Sequence, residues 1–410
     1  MKHAWKKLLA AAVLPCLLAG CGALGGPESE VPSMDHLLGL TQEQRLEDYD
    51  YLVQTLGDSY LCMGVRDRDN PEDPSAAIFQ AYREMIQESD SDEVFYSAVY
   101  STLFRLGTYG HLWIVEPDMY RAYCEAYEDG GIQDREHWRE VLTDPVTVRG
   151  YERLQTLLDA YGEEDGTVNS ADSEEPAANL HTLLLPGGDV GYVKIDSFPA
   201  EYEDSYATDR AALTDFYRQA ADCTDLIIDL TDNSGGSEVY WQQLLAAPLT
   251  DRPLSCTNYA LLARAATTAP ISRRCSPRRS CTPSRTCRIC PSWSGTDPGR
   301  HPLCGEHPLC GASGRRAPFH GRIWVLVGPA VYSASESFAV FCQETGFATL
   351  VGSPTGGDGI GALDPVFLQL PNSGILVQFT MMFGLNGDGS SSEETGTTPD
   401  ILSPPGNRLW

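Results

Sequence analysis

Apolar residues recur at three- and four-residue spacing through TQEQRLEDYDYLVQTL (41–56), PSAAIFQAYREMIQ (74–87) and DEVFYSAVYSTLFRL (92–106), the period of helices with one buried stripe. Thr41 stands ahead of the first as an N-cap. The helical pattern stops at GTYGHLWIVEP (107–117), where Gly107 and Gly110 lead into His111 at the start of a short strand. Residues 118–180 are weakly periodic and predict a helical pair. They end in GEEDGTVNSADSEEP, the composition of a solvated linker.

From 189 onward the period changes. DVGYVKIDSF (189–198), TDLIIDL (224–230) and GRIWVLVG (321–328) read as strands. DRAALTDFYRQAA, EVYWQQLLAAPL (238–249) and SFAVFCQET (337–345) read as helices between or after them. Strand alternating with helix predicts an α/β core on a mostly parallel sheet. FATLVGSPTGGDGIG (347–361) adds a strand and a glycine loop, and VFLQLPNSGILVQFTMMFGL predicts a hairpin across Pro371–Gly374.

Two junctions in this core carry candidate chemistry. In VYSASESFAVF (331–341), Ser333 falls on a strand-to-helix turn, where a hydroxyl can face substrate while first-turn N–H groups point at a developing oxyanion. The same spacing, Ser333 with Glu336 three residues on, is also a capping box. After LIIDL, the turn TDNSGGS places Gly235 and Gly236 at the carboxyl end of a strand. Their N–H groups could line an oxyanion pocket, or the turn could simply need positive φ.

The formal charge of −28 argues against nucleic acid and anionic lipid surfaces as direct partners of the folded part. At the N-terminus, Lys2, Lys6 and Lys7 precede an apolar run from Leu8 to Leu18, too short to span a bilayer as a mature helix. Leu18-Ala19-Gly20-Cys21 follows and resembles the lipobox of bacterial lipoprotein signal peptides. That resemblance implies cleavage before Cys21, a lipid on its sulfur, and a working domain outside the cytoplasm.

Residues 256–316 break the pattern. They hold ten arginines, two acids and seven of the thirteen cysteines. Cys287 and Cys290 have zinc-like spacing, with His301 and His307 nearby, so a metal-binding or disulfide-stapled insertion is one reading. No second close cysteine pair follows, however, and apolar patterning stops after YALLA and resumes at FHGRIWVLVG. The favoured reading is a stretch translated out of frame between two compensating shifts, unable to form a packed layer. The predicted organisation is therefore a signal segment (1–20), a flexible tether (21–40), a helical region with His111 (41–117), an acidic segment (118–180) and an α/β core (181–402) interrupted at 256–316.

Taken in order, GTYGHLWIV, VGYVKIDSF, LIIDLTDNSGGS, VLVGPAVYSASESFA, LVGSPTGGDG, LPNSG and EETGTTPDI resemble the S41 serine peptidases, the tail-specific, C-terminal-processing and tricorn-type group. The resemblance implies a ClpP/crotonase-like core, a peptide or protein substrate, and no metal or organic cofactor. It implies Ser333 as nucleophile, with Ser335 as fallback. One branch of the family takes its base from a lysine in the glycine loop, but the matching position here is Asp358. The only lysine after Cys21 is Lys194, on a strand. The tricorn-like branch implies His111 as base and Glu393 as its carboxylate, with Glu394 as alternate and Thr108 as the nearest hydroxyl before the histidine. Ala334 and Gly235 or Gly236 would supply the oxyanion N–H groups. No PDZ-like segment is found, so tail specificity does not carry over. A silent lipoprotein that keeps the fold to bind peptides is the competing expectation.

Overall fold

A computed structural model describes residues 36–128, 136–164, 178–252, 254, 256–262, 303–308, 319–359 and 366–403. The signal segment, Cys21 and the linker at 165–177 lie outside these residues. So do Cys287, Cys290 and His301 of the zinc reading.

The helical region comprises α1 (Gln42–Ser59), α2 (Met63–Asp69), α3 (Ser75–Gln87) and α4 (Asp92–Leu106). Thr41 and Gln44 close a capping box at the start of α1, which satisfies donors that a helix N-terminus leaves open. Tyr49, Leu52 and Leu56 of α1 and Phe95, Val99 and Leu103 of α4 are buried. The same face of α1 carries Arg45, which bonds Asp92 at 2.9 Å, and Asp48. The Asp48 carboxylate accepts the N–H groups of Asn372 and Ser373, each at 2.8 Å. It thereby docks the tip of the predicted hairpin onto the helices.

That hairpin is β9 (Val366–Gln369) and β10 (Leu376–Phe379), and β10 also pairs antiparallel with β1 (Trp113–Ile114). The strand that follows His111 is thus held by a hairpin more than two hundred and fifty residues later. The acidic segment forms three helices where the sequence predicts a pair: α5 (Pro117–Glu128), α6 (Glu136–Leu142) and α7 (Pro145–Glu164). The extra break falls at Asp144-Pro145. Proline has no N–H to continue α6, and the Asp144 side chain accepts the N–H of Val146 at 2.8 Å to start α7.

The core is a six-stranded sheet in the order β12-β8-β7-β4-β3-β2. Its strands are β2 (Leu180–Leu184), β3 (Val190–Ile195), β4 (Asp225–Asp229), β7 (Arg322–Val327), β8 (Thr349–Gly352) and β12 (Ile401–Leu402). All neighbours are parallel except β2, which runs antiparallel to β3. The predicted mostly parallel α/β sheet is therefore present. The edge strand β2 lies at the very start of the predicted core, ahead of the first strand the sequence predicts at 189–198. Its side chains are mostly exposed, so no burial pattern announces it.

Helix α8 (Asp204–Gln219) crosses from β3 to β4. Helix α9 (Ala334–Thr345) follows β7 and buries Phe338, Ala339, Phe341 and Cys342. Trp241 packs on Phe341 at 5.0 Å between ring centroids, within a π-helical stretch, Trp241–Ala246. Two pieces of the arginine- and cysteine-rich window are strands, contrary to the expectation that it forms no layer. β5 (Thr257–Leu262) pairs with β6 (Leu303–Pro308) and with β11 (Met382–Leu385). β5 is the last apolar run before the pattern breaks, which is why it still finds a partner.

Candidate active site

Three segments converge where β7 gives way to α9. The first is the turn between them. Ser333 takes φ 57, ψ −126 there, a conformation that costs an L-residue free energy and that a sharp strand-to-helix turn imposes. The Ser333 hydroxyl makes no capping bond to α9. The expected capping box is absent because Glu336 turns the other way, accepting the Thr397 hydroxyl at 2.6 Å. The second segment is the glycine loop after β8. Tyr332 bridges to Gly357, and Ser333 N–H donates to Gly357 O at 3.1 Å, which sets Asp358 beside the serine turn. The third is the 3-10 turn Tyr109–His111 between α4 and β1. Gly110 O accepts Thr380 N–H at 2.8 Å, fixing this turn to the end of β10. Gly110 has φ 56, and a Cβ there would lie 2.7 Å from Thr380 and 2.8 Å from the Cys62 sulfur.

His111 stands between the other two. Its Nε2 is 2.9 Å from Ser333 Oγ, and its Nδ1 faces Asp358 Oδ2 at hydrogen-bond contact. A neutral imidazole that accepts the serine proton at Nε2 carries its own proton at Nδ1, where a carboxylate can hold it. Among the described residues, the non-glycine positions with positive φ are His111, Ser333 and Asp358, at 54°, 57° and 54°. Strain gathered on the three residues that touch each other marks a site whose geometry the surrounding fold enforces.

The walls are aromatic. Tyr332 lies 5.0 Å and Trp113 5.4 Å from the His111 ring. The Tyr332 hydroxyl is 2.9 Å from both Asp358 Oδ2 and Thr108 O. Burial and the Asp358 charge push the Tyr332 phenol well above its ordinary range, so it stays protonated.

The carboxylate facing His111 is thus Asp358, and the expectation for Glu393 is corrected. Glu393 lies on the short helix α10 (Ser392–Thr395), where its Oε1 accepts Gly110 N–H at 2.8 Å. Its Oε2 is buried with no donor. Burial, then the neighbouring Asp358, push the Glu393 carboxyl up to about 10. Glu394 is directed away, in an ion pair with Arg68. Asp358 was visible in the sequence as an acid standing where a lysine base would be. That it could serve the histidine needed the fold.

Of the expected oxyanion donors, Gly235 is corrected as well: its N–H donates to Asn233 Oδ1 at 2.8 Å. Gly235 instead provides room. A Cβ at this position, where φ is 105, would lie 2.6 Å from Tyr332 O and 2.9 Å from Ala334 N. Among the described residues, the N–H groups of Ala334 and Gly236 have no protein acceptor. Ser335 is fully buried and its hydroxyl is shared with Asn233 O and Tyr332 O, each at 2.8 Å, so it is not available as a nucleophile. Lys194 pairs with Asp232 at 2.6 Å.

Comparison with known proteins agrees with this architecture. The family model described as peptidase family S41 matches residues 189–403. A candidate peptidase from Parabacteroides merdae superposes with a TM-score of 0.52 at 16% identity, over 89% of this chain and 90% of that one. A lipoprotein from Streptococcus agalactiae gives 0.47 at 12% identity, over 88% and 92%. The photosystem II D1 C-terminal processing protease gives 0.43 at 15%, over 89% and 94%. At 16% identity the likeness to the Parabacteroides merdae protein concerns the fold.

Proposed function

Since the chain belongs to peptidase family S41, we propose that it is a serine endopeptidase held by lipid on Cys21 at the outer face of a cell membrane. The observation that carries the catalytic part is the 2.9 Å contact of His111 Nε2 with Ser333 Oγ. It is backed by Asp358 on the far side of the ring. The anchoring part rests on Leu18-Ala19-Gly20-Cys21.

Ser333 Oγ attacks the scissile carbonyl as its proton passes to His111 Nε2. Asp358 keeps the imidazole in the tautomer that can accept this proton and stabilises the imidazolium that results. The N–H groups of Ala334 and Gly236 are the assigned donors to the tetrahedral oxyanion. His111 then returns the proton to the departing amine, leaving an acyl-enzyme on Ser333. Water, deprotonated by His111, releases the acid product and restores the serine.

The test is a peptide-library digest by wild type and Ser333→Ala, with covalent labelling by a serine-directed phosphonate. Hydrolysis and labelling by wild type alone support the reading. Equal turnover by both proteins overturns it, as does equal peptide binding by both with no turnover by either.

A further inference from the structure

Asp358 and Glu393 set two carboxyl groups side by side without a cation. Asp358 is 3% exposed, and Glu393 adjoins it: a Cβ on Gly357, the residue before Asp358, would lie 3.6 Å from Glu393 Cα. Among the described residues neither pairs with lysine or arginine; Arg68 reaches the same short helix but is taken by Glu394. Two adjoining carboxylates in such a place do not both ionise, so the pair holds a proton.

Hydrogen-bond accounting says where. Asp358 Oδ2 receives His111 Nδ1–H and lies 2.9 Å from the Tyr332 hydroxyl. Glu393 Oε1 receives one backbone N–H, from Gly110. Glu393 Oε2 is buried and meets no donor. An ionised Glu393 would leave that oxygen as bare buried charge, whereas a protonated Oε2 becomes a donor with Asp358 as acceptor. We propose that Glu393 works as a neutral acid, keeping its proton on Oε2 and donating it to Asp358. It is then a positioning residue for Asp358 and not the carboxylate that stabilises the imidazolium. The inference rests on the Ser333–His111–Asp358 reading above.

The elevation of the Glu393 carboxyl to about 10 agrees with this placement. Through Oε1 the same residue also grips Gly110, next to His111. One acid therefore ties the histidine turn to the aspartate loop. The other titratable groups around the pair leave the assignment standing. Tyr60, Cys62, Tyr109 and Tyr332 are all pushed upward and stay protonated, and Glu336, pushed to about 7, is engaged by Thr397.

Glutamine keeps the shape of a neutral acid and its donor, so the test compares Glu393→Gln with Glu393→Ala. Glu393→Gln is expected to keep kcat within about threefold of wild type. Glu393→Ala is expected to lower kcat about 10²-fold with little change in KM, the cost of a misplaced catalytic group. Infrared difference spectra of wild type minus Glu393→Gln at about pH 9 read the proton directly, because an ordinary glutamate is ionised there. The expected result is a protonated-carboxyl carbonyl band present in wild type and lost in the variant. Absence of the band overturns the proposal. So does Glu393→Gln as slow as Glu393→Ala, or Glu393→Ala as fast as wild type. Wild-type hydrolysis by Ser333→Ala would defeat the peptidase reading instead, and the infrared band would still decide the Glu393 proton.

Discussion

His111 and Asp358, 247 residues apart in the chain, meet through Nδ1 and Oδ2, and each holds its backbone at φ 54 to do so. Neither conformation is what an L-residue prefers, and both are imposed by neighbours. Gly110 and Thr380 fix the first, and the Tyr332–Gly357 bridge fixes the second. The fold thus holds backbone strain where it brings an imidazole and a carboxylate into register with Ser333.

Asp358→Asn should keep the fold and lose the reaction. The amide can donate to His111 Nδ1 and so favours the tautomer that cannot accept the serine proton. A fall in kcat on the order of 10⁴-fold is expected, measured with a fluorogenic peptide selected from the library digest. Glu394→Gln, which removes only the surface pair with Arg68, should change kcat less than about twofold. The reverse order of effects would return the carboxylate role to α10.

Gly235→Ala tests the packing behind the nucleophile. The added methyl would stand 2.6 Å from Tyr332 O and 2.9 Å from Ser333 Cβ, at a φ of 105. Strain of about 1–3 kcal/mol is expected, read as a lower midpoint of thermal unfolding. A loss of kcat should accompany it, because the atoms that must shift belong to the serine turn. An unchanged melting curve with full activity would contradict the close approach.

Buried acids should make the protein less stable as pH rises. Glu336 is fully buried, and desolvation pushes its carboxyl from 4.5 to about 7 in the folded chain. The folded state therefore keeps a proton that the unfolded state releases between these values. The Glu336 contribution is fully present below about pH 4.5 and lost as pH climbs through about 7. Over that window the loss is about 3 kcal/mol. Glu336→Gln should flatten the fall of the unfolding midpoint between these pH values relative to wild type. An identical slope in both proteins would show that Glu336 ionises normally.

Cys21→Ser should move the protein from the membrane to the soluble fraction of cells that express the full chain. It should also abolish incorporation of labelled fatty acid, because a lipobox without its cysteine has no sulfur to modify. Retention on the membrane with no label in either protein would defeat the lipid anchor and leave the catalytic proposal untouched.

Much of this was legible along the chain. The three- and four-residue spacing gave the helices before 107, and Thr41 its cap. Continuous β-branched runs gave β4 and β7, and Pro371–Gly374 gave the hairpin turn. Ser333 and His111 were visible because a hydroxyl at a strand-to-helix junction and a histidine just after a glycine turn are local patterns. The edge strand β2 was not, since it buries too little to leave a period, and the weak periodicity of 118–180 hides the break at Asp144-Pro145.

By itself, then, the sequence determined the parallel α/β core, the helical region before it, and the candidates for nucleophile and base, Ser333 and His111, each written in a few adjacent residues. It also ruled out a lysine base in the glycine loop, because Asp358 stands there. Only the tertiary structure decided which acid serves His111 and which N–H groups remain open. Glu393, Glu394 and Asp358 are alike as carboxylates, and Gly235 and Gly236 are alike as glycines. What separates them is set by distance, burial and already satisfied hydrogen bonds: Asp358 on the imidazole, Glu393 on Gly110, Glu394 on Arg68, and Gly235 N–H on Asn233. Those are relations between segments far apart in the chain, and no local pattern encodes them.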